Sequence, residues 1–97
     1  MQTFIIKPST NKTKKYDVYE LPTMKKILSF GAKGYSDFPT HKDDKRKVNY
    51  IKRHSVLEDW TNLEKSGTWS RYVLWNQPTI KSSISDMQRK FNIKILI

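Results

Sequence analysis

The order of patterns along these 97 residues predicts an α+β fold: a small antiparallel sheet with about three helices packed on one side. Three observations carry that prediction. Residues 16–30 alternate apolar with polar side chains in steps of two, as a half-buried strand pair does. Short β-branched apolar runs stand near both ends of the chain, at residues 3–6 and 93–97. Ile80, Ile84, Met87 and Phe91 recur at i, i+4, i+7 and i+11, which places them along one side of a helix of about three turns.

Taken in order, Thr3, Phe4, Ile5 and Ile6 form the first strand, bounded by Pro8. Residues 7–15 bring four Lys and little that a core could use, so they read as an exposed basic loop. Residues 16–30 form a hairpin with Pro22 in its connection, where a missing N–H costs no ladder bond. Residues 31–39 hold two of the three glycines and end on a proline, which makes a loop with positive φ expected at Gly31 or Gly34 or both. Thr40 with Asp43 resembles a capping box, and a basic helix is expected over 41–54, with Val48, Ile51 and Ser55 on one face and Tyr50 and His54 on an adjacent one. Residues 56–63 are expected to form a turn or short helix that docks Leu57 and Trp60 on the core, with Gly67 ending the unit. Thr68 then caps a short helix over 69–75, closed by Asn76, Gln77 and Pro78. Thr79 caps the last helix, Asn92 ends it, and residues 93–97 close the sheet.

Length and composition narrow the function. At 97 residues a chain buries roughly 60 to 70% of its unfolded surface, enough for one modest core, so residues 1–97 are read as a single domain and a multi-part enzyme is excluded. The absence of Cys removes disulfides, thiolate metal ligands and thiol nucleophiles. No apolar run approaches the roughly 18 residues of a membrane span, and no secretory signal pattern opens the sequence, so a soluble chain is expected. The dominant quantity is the net charge of +10, which points to a polyanionic partner or to a place in an assembly that tolerates a positive surface. The charge is patterned: residues 1–36 carry seven Lys against Asp17 and Glu20, residues 41–54 carry six Lys or Arg against Asp43 and Asp44, and residues 55–70 are slightly acidic.

Each candidate for chemistry competes with a structural account. His41 and His54 lack a third ligand at a recognisable spacing, and Asp43 and Asp44 point about 100° apart on a helix, so no metal site is expected and the acids suit a helix N-terminus. Gly31, Ala32, Lys33 and Gly34 lack the spacing of a phosphate-cradling P-loop. The serines have no nucleophile motif around them, and no catalytic residue, cofactor or small-molecule substrate is expected. Trp60, Trp69, Tyr72 and Trp75 are suited to base stacking, but a chain short of Leu, Ile and Val needs at least two of them in its core. The strongest candidate is the basic helix, with Lys33, Lys42, Lys45, Arg46, Lys52, Arg53 and Arg71 as the residues expected to contact nucleic acid or another polyanion.

A longer series of residues points further. Phe30-Gly31-Ala32-Lys33-Gly34-Tyr35-Ser36-Asp37-Phe38, then His41-Lys42-Asp43, Arg46-Lys47, Tyr50-Ile51-Lys52-Arg53-His54, Trp60, Gly67-Thr68-Trp69-Ser70-Arg71 and Leu74-Trp75-Asn76-Gln77-Pro78-Thr79 resembles a family of small basic proteins of nucleocytoplasmic large DNA viruses, a domain of unknown function. The likeness spans about residues 14–95 and departs at Gln77, where members often carry Lys. It brings no catalytic residues. It implies a viral source and a non-enzymatic structural role in the virion, such as a minor capsid or internal protein, with capsid proteins or the genome as partners and the host cytoplasm as the place of assembly. The alternative it leaves open is a viral DNA- or RNA-binding protein acting through residues 42–53.

Overall fold

A computed structural model describes all residues, Met1–Ile97, as an α+β fold in which a four-stranded sheet supports four helices. The strands are β1 (Thr3–Pro8), β2 (Lys14–Glu20), β3 (Lys25–Ala32) and β4 (Lys94–Leu96), in the order β3-β2-β1-β4. The helices are α1 (Phe38–His41), α2 (Asp44–Ser55), α3 (Ser66–Trp69), which runs on as a π-helical segment Ser70–Leu74, and α4 (Ile80–Phe91). The sheet is mixed, where an antiparallel one was expected: β1 and β2 pair antiparallel, as do β2 and β3, but β4 lies parallel to β1 with Phe4 opposite Ile95. A parallel neighbour requires a long crossover, and here the whole helical half of the chain supplies it before Lys94 N–H reaches Gln2 C=O at 3.0 Å.

One face of the sheet forms the core. Phe4, Ile6, Val18, Phe30 and Ile95 are buried there against Trp69, Val73, Leu74, Ile84 and Met87 from the helices. Trp69 is fully enclosed, meets Phe4 edge-on with centroids 5.3 Å apart, and donates its indole N–H to Leu63 C=O at 2.9 Å. A buried indole needs such an acceptor. Helix α4 follows its sequence pattern closely. The Thr79 side chain accepts from Ser82 N–H at 3.1 Å, Ile84 and Met87 are buried with Ile80 and Phe91 flanking them, and Asn92 at φ 53° closes the helix in the left-handed region.

The opposite face of the sheet holds a single buried carboxylate, Asp17. Ser9 and Ser29 hydroxyls donate to its Oδ1 at 2.6 and 2.5 Å, Thr10 N–H donates to Oδ2 at 3.2 Å, and Lys26 Nζ stands 3.5 Å away. Burial by itself raises the Asp17 pKa, but the hydroxyls, the amide and the lysine outweigh it and hold the carboxyl far below the usual range. This arrangement revises the expected loop over residues 7–15: β1 continues to Pro8, β2 starts at Lys14, and the connection bends back so that Ser9 and Thr10 cap Asp17. Ser9, Lys14 and Lys15 are partly covered, and the rest of the segment is exposed.

Three further expectations are corrected. Asp43, not Thr40, caps the basic helix, accepting from Lys45 N–H at 3.0 Å and Arg46 N–H at 3.3 Å, so the helix starts at Asp44. Of the two expected faces, the one with Tyr50 is inward: Tyr50 is buried while Val48 is 49% exposed, because parallel stacking on Trp75 covers more apolar surface at Tyr50 than the smaller Val48 can offer. Leu57 does not dock on the core but is 83% exposed beside an equally open Val56, and Trp60 alone of that pair is partly covered. Gly67 and Thr68 lie inside α3 and do not bound it. Thr68 Oγ1 donates to Asn62 C=O at 2.6 Å, and a side chain at Gly67 would collide with the Glu58 carboxylate.

Candidate polyanion-binding site

Helix α2 reaches the body of the protein through a column of rings. Tyr50 stacks on Trp75 with centroids 4.4 Å apart and planes 4° from parallel, and His54 covers the other face of Tyr50 at 4.3 Å. Beyond Trp75 come His41 at 5.3 Å and then Phe38 at 6.1 Å from His41. The two histidines thus stand towards opposite ends of one stack and do not converge, and no group of three His, Asp or Glu side chains is placed to share a metal ion. His41 also steadies the start of α2, its Nδ1 accepting from Asp43 N–H at 2.9 Å. Burial first, and Glu58 second, push the Tyr50 hydroxyl up to about 12, so it stays protonated at neutral pH.

An open cleft of about 720 Å³ lies between α2, the end of the β2–β3 hairpin and the α3/π-helical segment. Its inner surface includes Phe30, Leu74, Tyr50 and Trp75. Its cations are Lys14 and Lys15 from β2 with Arg46 and Arg53 from α2, and its acids are Asp37 and Glu58. Both acids are engaged. Asp37 accepts from Thr40 Oγ1 at 2.8 Å and pairs with Lys15 Nζ at 2.5 Å, and Glu58 pairs with His54 Nδ1 at 2.9 Å. Lys14, Arg46 and Arg53 are left without a carboxylate partner.

The expected contact residues therefore divide. Arg46 and Arg53, seven positions apart and so nearly in line on a helix, face the cleft. Lys45 and Lys52, one position behind each, are exposed on the outer side of α2. Lys42 is exposed in the left-handed residue between α1 and α2, and Lys33 is exposed on the turn after β3. Arg71 stands apart from all of these. Its guanidinium donates to Trp75 C=O at 2.7 Å and lies 5.5 Å from the Trp60 ring and 5.1 Å from the Tyr72 ring, and burial lowers its pKa. It ties the Trp75 backbone to Trp60 and Tyr72, which lie outside the column, and it is not among the cleft residues. The four aromatics follow the expectation of core use most fully at Trp69, with Trp60, Tyr72 and Trp75 half-buried.

Two cleft residues are not identified by sequence reasoning. Lys14 falls in the segment expected as an exposed loop, although the alternation beginning at Lys15 extends back to it. Tyr35 sits on the turn where Gly31 and Gly34 both take positive φ, 77° and 87°, and it is 75% exposed at the cleft. Its only signal is a large ring beside a glycine in a loop with no apolar periodicity. The Lys15 ammonium donates to Tyr35 C=O at 2.7 Å, which ties this turn to β2.

Comparison with known proteins adds one finding. A model described as a family of unknown function (DUF5754) matches residues 4–54, which covers the three-stranded meander, the glycine turn and nearly all of α2. No curated protein and no solved structure matches the chain.

Proposed function

The chain belongs to the family of unknown function DUF5754, and from that premise we propose that it is a non-enzymatic structural component of a large DNA virus particle whose basic face meets the genome. One observation carries the contact. None of the six cations between residues 42 and 53 forms an ion pair with a carboxylate, and Asp43 is occupied as the helix cap. Ordinary solvated helix faces interleave both signs. An unneutralised set of this kind suits a run of phosphates, since each phosphate contact releases counterions. The viral setting is supported by the motif series between Phe30 and Thr79, and a compact domain without Cys suits assembly in a reducing cytoplasm.

Binding to duplex DNA over a salt series tests the contact: log K is expected to fall linearly with log salt, by about 0.9 for each phosphate engaged. A flat response rejects it. Mass spectrometry of purified particles tests the placement, with a high and regular copy number expected. Recovery of the chain only with nucleic acid outside the particles would move the same cations to the alternative role, a viral DNA- or RNA-binding protein.

A further inference from the structure

We infer that the cleft beneath α2 is a site for an unpaired nucleotide, so that the protein prefers single-stranded nucleic acid to duplex. The inference rests on the nucleic-acid reading above and names the form of nucleic acid that the cleft side of α2 takes. Three independent features support it. The first is charge: Lys14, Arg46 and Arg53 line the cleft with no carboxylate partner, and of its two acids Asp37 is paired with Lys15 while Glu58 faces His54. The second is size. A volume of about 720 Å³ is far more than a free phosphate fills and falls among sites that take whole small ligands.

The third is Tyr35. It is 75% exposed, and it takes no part in any ring pair of the protein. The other aromatic rings at the cleft, Phe30, Tyr50 and Trp75, are all engaged with neighbouring rings. An unoccupied ring beside unpaired cations is the combination by which single strands are held without sequence readout, the ring stacking a base while the cations follow the backbone. Duplex bases are already stacked on each other and cannot use it. The outward cations Lys45 and Lys52 remain available to either form. An acidic peptide would use the cations but has no need of the ring.

The test is fluorescence anisotropy with a labelled oligothymidylate of about eight nucleotides, near the span of small single-strand sites, set against a duplex of equal length. The single strand is expected to bind more tightly. Tyr35→Ala is expected to weaken the single strand about tenfold and leave the duplex unchanged, and Tyr35→Phe to bind as the wild type. Because Tyr35 is so exposed, its replacement leaves the core untouched, which far-UV circular dichroism will verify. Single-strand affinity unchanged in Tyr35→Ala, or displacement of the oligonucleotide by polyglutamate at equal charge, would overturn the inference. If the duplex then still binds with its salt slope, only the cleft assignment falls. Loss of binding to both forms removes the nucleic-acid reading with it.

Discussion

The sheet with α4 and the flank built on α2 contrast in how they are held. In the first, apolar side chains from four strands and two helical segments enclose Trp69, Met87 and Val18 completely, and even the one charged group, Asp17, is fully hydrogen-bonded. In the second, a twelve-residue helix buries one residue, Tyr50, and leaves Val48 open to solvent. Buried apolar side chains are concentrated in the sheet side, and unpaired cations are concentrated on the flank. A helix that buries one residue leaves most of its other positions open to carry charge.

The contrast can be broken most severely at Trp69. Trp69→Ala is expected to cost about 3 to 5 kcal/mol, enough to unfold a domain of this size or bring it close to unfolding, as denaturant titration will show. Asp17 comes next. Asp17→Ala strands the hydroxyls of Ser9 and Ser29 and the Thr10 amide, for an expected loss of about 2 to 4 kcal/mol in the same titration. The pH dependence has a definite sign. Because the folded pKa of Asp17 is depressed, its contribution is full above the ordinary carboxylate pKa of about 4 and is lost as the pH falls below it. Acid titration of stability is therefore expected to be shallower in Asp17→Asn than in the wild type.

On the flank the effects are smaller and local. Tyr50→Ala removes the stack between Trp75 and His54 and is expected to cost about 1 to 3 kcal/mol, with amide exchange rising in α2 more than in β1 and β2. Equal acceleration in both regions would show that the two are one cooperative unit. Asp43→Ala is expected to cost about 1 kcal/mol through removal of the cap, read by thermal unfolding. The smallest change is expected from Lys45→Ala with Lys52→Ala, within about 0.5 kcal/mol of wild-type stability for each substitution. The same pair is expected to lower the DNA salt slope by about 0.9 for each phosphate that the variant no longer neutralises.

How much of this was legible in the sequence differs along the chain. Helix α4 was readable to the residue because its cap, its apolar spacing and its left-handed terminator are all local signals that agree. The hairpin and the positive φ at the glycine turn were readable for the same reason. In α2 the existence of the helix was plain, but its rotation was not, since Val48 and Ile51 offered one apolar face and Tyr50 with His54 another. Trp75, twenty-five positions further on, chose between them. The candidate site shared that fate. Arg46 and Arg53 were identified by charge, whereas Lys14 and Tyr35 were invisible as partners until the hairpin end and α2 were brought to one cleft.

By itself, then, the sequence determined the α+β class, the strands of the hairpin, the last helix and the presence of an unneutralised basic segment. These follow from periodicity, capping and charge, which act between residues a few positions apart. Only the tertiary structure decided that β4 joins the sheet parallel to β1, that α2 turns Tyr50 inward, and that Arg71 is spent on the Trp75 carbonyl and the Trp60 ring while Arg46, Arg53 and Tyr35 share a cleft. Those outcomes depend on interactions between distant segments, where burial of a large ring or closure of a crossover outweighs any local preference.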